Sequence, residues 1–401
     1  MKIVLAEICS LEMTLGRDTS DTWMWRPLIL RLTTDEGITG IGEVGLAYGV
    51  GHRGGVGMLR DLVEAFVIGA DPLEREVIWH NMQRRSFWGG ATGPVINAAM
   101  SAVDIALWDI AGKALNLPVW KLLGGRFQTD LRTYASQIQF GWDDDYDPGG
   151  PLEQYREAAS RAVSQGYDAI KLDPIMLGDD GRAAPPASLQ GALDPSVVTR
   201  ARRRMEAVRE AVGSDVDIIL ELHSLTSVTG AMQIAEACAD LNLFFIEEPV
   251  NYNSSGPAIA LRQRLPQVRL TGGERVFTRW GFRDYLEAGA MDMVQPDFCL
   301  AGGISEGKKI CDMAHVYEVT VQGHVCGSPI SQLAAMHIET AIPNFQIHEH
   351  HINSTCRDNR LICNEDYQPV GGRLRAPDTP GLGLTLNDDF IATFSDPLRI
   401  G

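Results

Sequence analysis

Three acidic residues suggest the chemistry. Glu221, Glu247 and Glu274 each close a short apolar run, at successive intervals of 26 and 27 residues. One strand–helix unit per interval would place neighbouring strand ends side by side and bring three carboxylates together. Bare, such a trio repels itself and its pKa values rise. A hard divalent cation resolves the conflict, and an oxygen-only donor set suits Mg²⁺. Further ionisable groups close the flanking runs at the same phase: Lys171 and Asp173 upstream, His223 two residues after Glu221, then Asp297, His324 and Glu349. A lysine beside a cation and partly desolvated is expected to have a lowered pKa and to act as a base, which is the role of Lys171. Asp173 shares its face and would pair with Lys171 or touch substrate. Asp297 would fix the tautomer of His324 and make it a second acid or base opposite Lys171. His223 lies beside the cation as proton donor to a leaving hydroxyl, as a further ligand or as a substrate hydrogen-bond donor, and spacing leaves these open. Strand alternation would split the cluster His348, Glu349, His350 and His351 across two faces, and only Glu349 stays as a group that hydrogen-bonds substrate.

The elements that must hold these groups can be read around them. The runs Leu131–Gln137, Ala169–Asp173, Ile218–His223, Leu243–Glu248, Val268–Glu274, Met291–Asp297, Val319–His324 and Phe345–Glu349 alternate with amphipathic stretches such as Leu152–Gln165, Pro195–Val212 and Glu306–Tyr317. Eight such units in series predict a (β/α)8 barrel, with chemistry at the C-terminal strand ends. Residues 1–44 read as an antiparallel meander with a turn at Asp35-Glu36-Gly37, and residues 57–116 as helices. The expected organisation is α/β: an α+β capping domain over 1–125, a modified TIM barrel over 126–370, and a tail over 371–401 that returns to the first domain. Three segments read as loops: Gly16–Arg26, the glycine-rich Gly45–Gly55, and Gly178–Leu193, a lid or an interface.

Composition narrows the partners. The chain has 401 residues and a net charge of −17, which disfavours nucleic acid but permits an anionic small molecule where a cation is held locally. No apolar run approaches the roughly 20 residues of a membrane span. The strand-like start lacks a basic leader, so no signal peptide is expected. Seven cysteines without a CxxC pair point to a reducing cytoplasm.

The segments Gly40–Val44 (GIGEV), Ala98–Leu123 (AAMSAVDIALWDIAGKALNLPVWKLL), Phe245–Pro249 (FIEEP), Gly273-Glu274-Arg275, Gln295–Asp297 (QPD) and Pro380–Gly383 (PGLG) resemble the enolase superfamily in its mandelate racemase branch, over nearly the whole chain. The resemblance implies Mg²⁺ held by Glu221, Glu247 and Glu274, and proton abstraction α to a carboxylate. It also implies capping loops that close over substrate, with Trp23, Trp25 and His52 as specificity contacts, and an even-numbered homo-oligomer. Two departures narrow it. Lys171-x-Asp173 stands where many racemases carry Lys-x-Lys, and Glu221, with His223, stands where most members carry Asp. This pattern looks most like the gluconate- and galactonate-type dehydratases, in which the corresponding histidine expels the 3-hydroxyl; carried over, His223 is that acid, and Lys171 or His324 removes the C2 proton. The expected function is an aldonate dehydratase giving a 2-keto-3-deoxy acid. A racemase, epimerase or cycloisomerase is the alternative, and a non-catalytic sugar-acid binder the third reading.

Overall fold

The computed structural model describes residues 1–13, 25–143, 145–146 and 150–401. The N-terminal meander forms as expected. β1 (Ile3–Ser10), β2 (Leu28–Thr34) and β3 (Thr39–Val44) pair antiparallel in sequence order. The β2–β3 turn has Gly37 at φ 81°, a conformation that glycine adopts without a Cβ clash. Three long α-helices follow, α1 (His52–Leu62), α2 (Arg75–Arg85) and α3 (Pro94–Ala114).

α3 carries the alanine-rich segment, and its composition explains its position. It is apolar all round and buried from Ile96 to Gly112, so it is a core helix pressed between the sheet and the barrel. Among the described residues it is the one helix long and apolar enough to cross a membrane, and 94% of that window is packed inside the protein. The glycines of GIGEV permit the contact. A Cβ on Gly42 would lie 1.9 Å from the Ala102 carbonyl oxygen, and one on Gly40 would lie 2.2 Å from that of Ala106.

Among the described residues the barrel has eight parallel strands: β4 (Leu131–Ser136), β5 (Ala169–Leu172), β6 (Asp217–Glu221), β7 (Phe245–Glu247), β8 (Leu270–Gly272), β9 (Met293–Val294), β10 (Thr320–Val321) and β11 (His348–His351). They neighbour one another in sequence order, with β11 returning to β4. The ring closes where Val321 bridges Phe345, through Gln346 N–H to the Val321 carbonyl at 2.9 Å. Inside, an apolar layer of Tyr134, Ala169, Ile219, Phe245, Met293 and Ile347 fills the barrel. Two residues further along the same strands, on the same face, stand Ser136, Lys171, Glu221, Glu247, Gln295 and Glu349. Period-two alternation thus lifts the polar groups into one layer above a dry floor.

The barrel helices α4 (Leu152–Ser164), α5 (Pro195–Val212), α6 (Val228–Ala237), α7 (Gly256–Arg264), α8 (Thr278–Glu287), α9 (Gly303–Val316) and α10 (Pro329–Thr340) lie between the strands. Two buried acids of the capping domain cap two of them. Asp104 of α3 accepts from Ser305 N–H at 2.8 Å and from its hydroxyl at 2.6 Å, at the start of α9. Glu43 of β3 accepts from Ser328 and Ser331 N–H at 3.0 and 3.2 Å, at the start of α10. A carboxylate meeting unpaired N–H groups at a helix N-terminus is favourable. The tail also returns: β12 (Leu398–Ile400) extends the capping sheet by pairing with β1.

The Gly178–Leu193 segment is anchored rather than free. Leu189 and Leu193 are buried, Leu193 N–H donates to Gln233 of α6 at 2.8 Å, and Gly191 accepts from the Ser227 hydroxyl. Arg204, in the short basic run of α5, is buried and donates to the carbonyls of Pro174, Leu177 and Gly178.

Candidate active site

The three glutamates converge. One oxygen from each of Glu221, Glu247 and Glu274 lies within 4.8 Å of the other two, and all three side chains are buried. Three buried oxygen donors at that separation fit a hard divalent cation. The longer Glu221 reaches the cluster, and its Oε1 also accepts the His223 backbone N–H at 2.7 Å. Gln295, of the QPD motif, donates to Glu247 Oε2 at 2.7 Å. Burial raises Glu247 well above the usual carboxylate range, and its neighbour Glu221 adds to that. In Glu221 burial is outweighed by His223 and Lys171, which hold its pKa low.

Lys171 extends into the same cluster. Its Nζ lies 3.1 Å from Glu221 Oε2 and 2.9 Å from Glu349 Oε1, and it also bonds Glu247 Oε1. Burial alone would push the ammonium down, but Glu247, Glu349 and Glu221 outweigh it and hold Lys171 well above the ordinary lysine value. Glu349 is fixed from two further sides, by the Ser136 hydroxyl at 2.6 Å and Val325 N–H at 3.0 Å.

His324 approaches from the seventh strand. Its Nδ1 lies 2.8 Å from Asp297 Oδ2, and its Nε2 lies 3.4 Å from Glu274 Oε2. Asp297 Oδ1 accepts Cys299 N–H at 2.7 Å, which fixes the carboxylate. Burial would lower the imidazole, but Glu274 and Asp297 raise it to about 9. On Glu274, burial is outweighed by Arg275 and His324.

His223 follows Glu221 at φ 45°. Its Nδ1 lies 2.6 Å from Asp173 Oδ2, and its Nε2 lies 3.1 Å from the Gln137 amide nitrogen. Burial is outweighed by Glu221 and Asp173, and the pKa rises to about 9. Asp173 is therefore not free for substrate and does not pair with Lys171. It is wholly buried, and its Oδ1 accepts from Ile175 and Met176 N–H at 2.8 Å each. Its remaining oxygen belongs to His223.

The capping-domain expectations fare differently. Trp23 lies outside the described residues. Trp25 is 3% exposed, donates its indole N–H to Asn359 at 3.0 Å and stacks on Tyr48; it is a joint between cap and barrel. His52 is 5% exposed and its Nε2 lies 2.6 Å from the Ser10 hydroxyl, inside the capping domain. No described contact brings either of these to the carboxylates. Four groups near the site carried no reading in the sequence: Tyr48, Arg275, Gln137 and Gln139. Burial, then Cys326, Glu274 and Asp297, pushes the Tyr48 phenol up. Arg275 Nη1 joins Glu248 at 2.6 Å to Glu274 at 2.8 Å. The cluster around Glu349 splits across two faces as expected: His348 bonds Glu339 and His350 bonds the Tyr167 hydroxyl, behind the barrel wall, while His351 stays on the side of Glu349, with its Nε2 3.6 Å from Cys326 Sγ.

Known proteins with this arrangement can be compared along the full chain. Residues 18–124 match the mandelate racemase/muconate lactonizing enzyme N-terminal domain, and residues 154–390 match the enolase C-terminal domain-like family. A protein of Zymomonas mobilis ZM4, provisionally described as a dehydratase, is 43% identical over 100% of this chain and 99% of its own, with a TM-score of 0.95. A second of that description, from Salmonella enterica serovar Typhimurium, is 45% identical over 100% of both chains, with a TM-score of 0.94. One from Mesorhizobium loti is 32% identical over 100% of both, with a TM-score of 0.89. With the fold, the strand-end acids and these relatives in agreement, the chain belongs to the enolase superfamily, in its mandelate racemase/muconate lactonizing enzyme branch.

Proposed function

We propose that the protein is a Mg²⁺-dependent dehydratase of sugar acids, an aldonate being the substrate and a 2-keto-3-deoxy acid the product. One observation carries this reading: a histidine oriented by its own carboxylate, His223 with Asp173, stands two residues beyond Glu221 in the three-carboxylate cluster. A racemase needs a base on each side of the reacting carbon, and Lys171 and His324 would supply them. It has no use for a third oriented acid–base group. Elimination does, because a hydroxide is a poor leaving group until it is protonated.

Glu221, Glu247 and Glu274 would hold the ion. When bound, it supplies positive charge against which negative charge can build on the substrate carboxylate. Lys171, or His324 held by Asp297, takes the proton from C2, according to the configuration there. Glu349 hydrogen-bonds the substrate. His223 Nε2 gives a proton to the 3-hydroxyl as the C3–O bond breaks and water leaves; the resulting enol takes a proton at C3 and becomes the keto acid. The relatives described as dehydratases support the reaction class, and seven free cysteines are in keeping with a reducing cytoplasm.

The test is a keto-acid assay with Mg²⁺ on four- to six-carbon aldonates and aldarates, run in D₂O. Keto acid from one or a few of them is the expected result. Deuterium at C2 without keto acid would replace this reading with the epimerase. That second reading draws on one observation, that both Lys171 and His324 contact the carboxylate cluster.

A further inference from the structure

The first barrel strand ends in no ionisable group, yet it delivers an amide to the site. β4 gives way to Gln137, whose backbone sits at φ 71°. Its N–H and that of Ile138 both donate to the Lys171 carbonyl, at 3.1 Å each. Gln137 meets His223, itself at φ 45°. Left-handed backbone at residues this large is costly and persists where the surroundings impose it, often at functional sites. Here both partners of one contact carry it.

The contact belongs to a closed ring of four residues. Asp173 N–H reaches Gln139 Oε1 at 3.2 Å. Gln139 Nε2 donates to Gln137 Oε1. Gln137 Nε2 lies 3.1 Å from His223 Nε2, and His223 Nδ1 returns to Asp173 Oδ2 at 2.6 Å. The orientation of side-chain amides is assigned from such networks, and this one has a fixed reference. A backbone N–H can only donate, so Gln139 must turn its oxygen to Asp173 and its nitrogen to Gln137. Gln137 must then turn its own nitrogen to His223. Gln137 and Gln139 are both buried, which limits other arrangements. The Gln137 amide N–H therefore donates to the one imidazole nitrogen that Asp173 leaves available, in the ring form whose proton is on Nδ1.

We propose that Gln137 is a positioning and specificity residue: its amide N–H donates to His223 Nε2 in the ring form that carries no proton there, and moves to the substrate hydroxyl oxygen when His223 Nε2–H delivers its proton to that same oxygen. This rests on the reading of His223 as the proton donor to the leaving hydroxyl. Gln139 has no substrate contact in this scheme and sets the direction of Gln137. An acid without a hydroxyl beside the reacting carbon cannot repay the displaced amide and is discriminated against.

The experiment has two arms, on the full-length protein. In the first, without substrate or metal, the parent, Gln137→Met and Gln139→Met are treated with diethyl pyrocarbonate, and each histidine is followed by peptide mass mapping. The exposed His80 and His315 serve as references. A hydrogen bond of this kind corresponds to a factor of about 2–10, so His223 should react faster by that factor in Gln137→Met, and less markedly so in Gln139→Met, with the references unchanged. An unchanged rate at His223 overturns the proposal, and Gln139→Met decides if Gln137→Met fails to fold. In the second arm, elimination is compared with deuterium entry at C2. Gln137→Met should lose elimination while keeping exchange, since neither Lys171 nor His324 touches the amide. Equal loss of both marks a merely structural residue and overturns it. If the parent forms no keto acid from any substrate, the dehydratase reading fails, and the labelling arm alone decides whether Gln137 guards Nε2.

Discussion

At the residue scale, charge was legible in the sequence and neutrality was not. Acids and bases at one phase of seven of the eight repeating units announce a shared layer, so Glu221, Glu247, Glu274, Lys171, Asp297, His324 and Glu349 could be named from spacing. Gln137 and Gln139 carry no such signal, because an amide after an apolar run looks like any strand end. The partner of Asp173 was also hidden, since His223 lies 50 residues away and the two meet only when β5 and β6 pair. The contact of Lys171 with three carboxylates was hidden in the same way, since Glu221, Glu247 and Glu349 come from three other strands. That contact makes a prediction. Lys171→Met leaves Glu221, Glu247 and Glu349 buried without their ammonium, and breaking a buried pair from one side costs about 3–5 kcal/mol. Denaturant unfolding in chelator should show a loss of that order. Adding Mg²⁺ should recover more stability in the variant than in the parent, because the ion would supply the missing charge. A variant as stable as the parent, with the same response to Mg²⁺, would show that Lys171 does not balance the cluster.

At the element scale, the eight strands and the helices between them follow from periodicity. Their edges differ, because the last residues of each run are held by side chains and turns rather than by ladder bonds. Val268–Glu274, for example, pairs as a strand only over Leu270–Gly272. What periodicity cannot show is how near two elements come. The GIGEV segment looks like any short strand until it is laid on α3, where Gly40 and Gly42 face the carbonyls of Ala106 and Ala102. Gly42→Ala places a methyl group 1.9 Å from the Ala102 oxygen, so β3 and α3 must part. Overpacking costs typically about 1–3 kcal/mol. The loss should be felt beyond the cap, because Glu43, the next residue, holds the start of α10 in the barrel. Hydrogen exchange would read this directly: the amides of Ser328 and Ser331 should lose protection in Gly42→Ala while those of α6, on another side of the barrel, keep theirs. Retained protection at Ser328 would show that the cap and α10 are not coupled through Glu43.

At the scale of the whole molecule, cap, barrel and tail are joined by buried polar groups, and their protonation ties stability to pH. His337 of α10 is one such joint. Its Nδ1 accepts Trp120 N–H at 3.2 Å, near the end of the capping domain, and its Nε2 donates to the Leu382 carbonyl of the tail at 3.0 Å. The first bond requires the neutral ring, because a protonated Nδ1 cannot accept. Burial, against a backbone bond to Leu382 that works the other way, lowers its pKa to about 4. An unfolded histidine titrates near 6.5, so between those values the unfolded chain binds more protons than the folded one, and stability falls as pH falls. The difference corresponds to about 3 kcal/mol across the window. Glu43 and Asp104 act in the opposite sense. Burial raises each to about 7, above the unfolded carboxylates, so acidification below 7 relieves the cost of their buried charge. In His337→Gln the histidine contribution is gone and the two acids remain, so urea unfolding should show a variant that is weaker at pH 7 and gains on the parent steadily as pH falls towards 4.5. Parallel stability curves for the two proteins across that range would mean that His337 is not the neutral joint between helix, cap and tail.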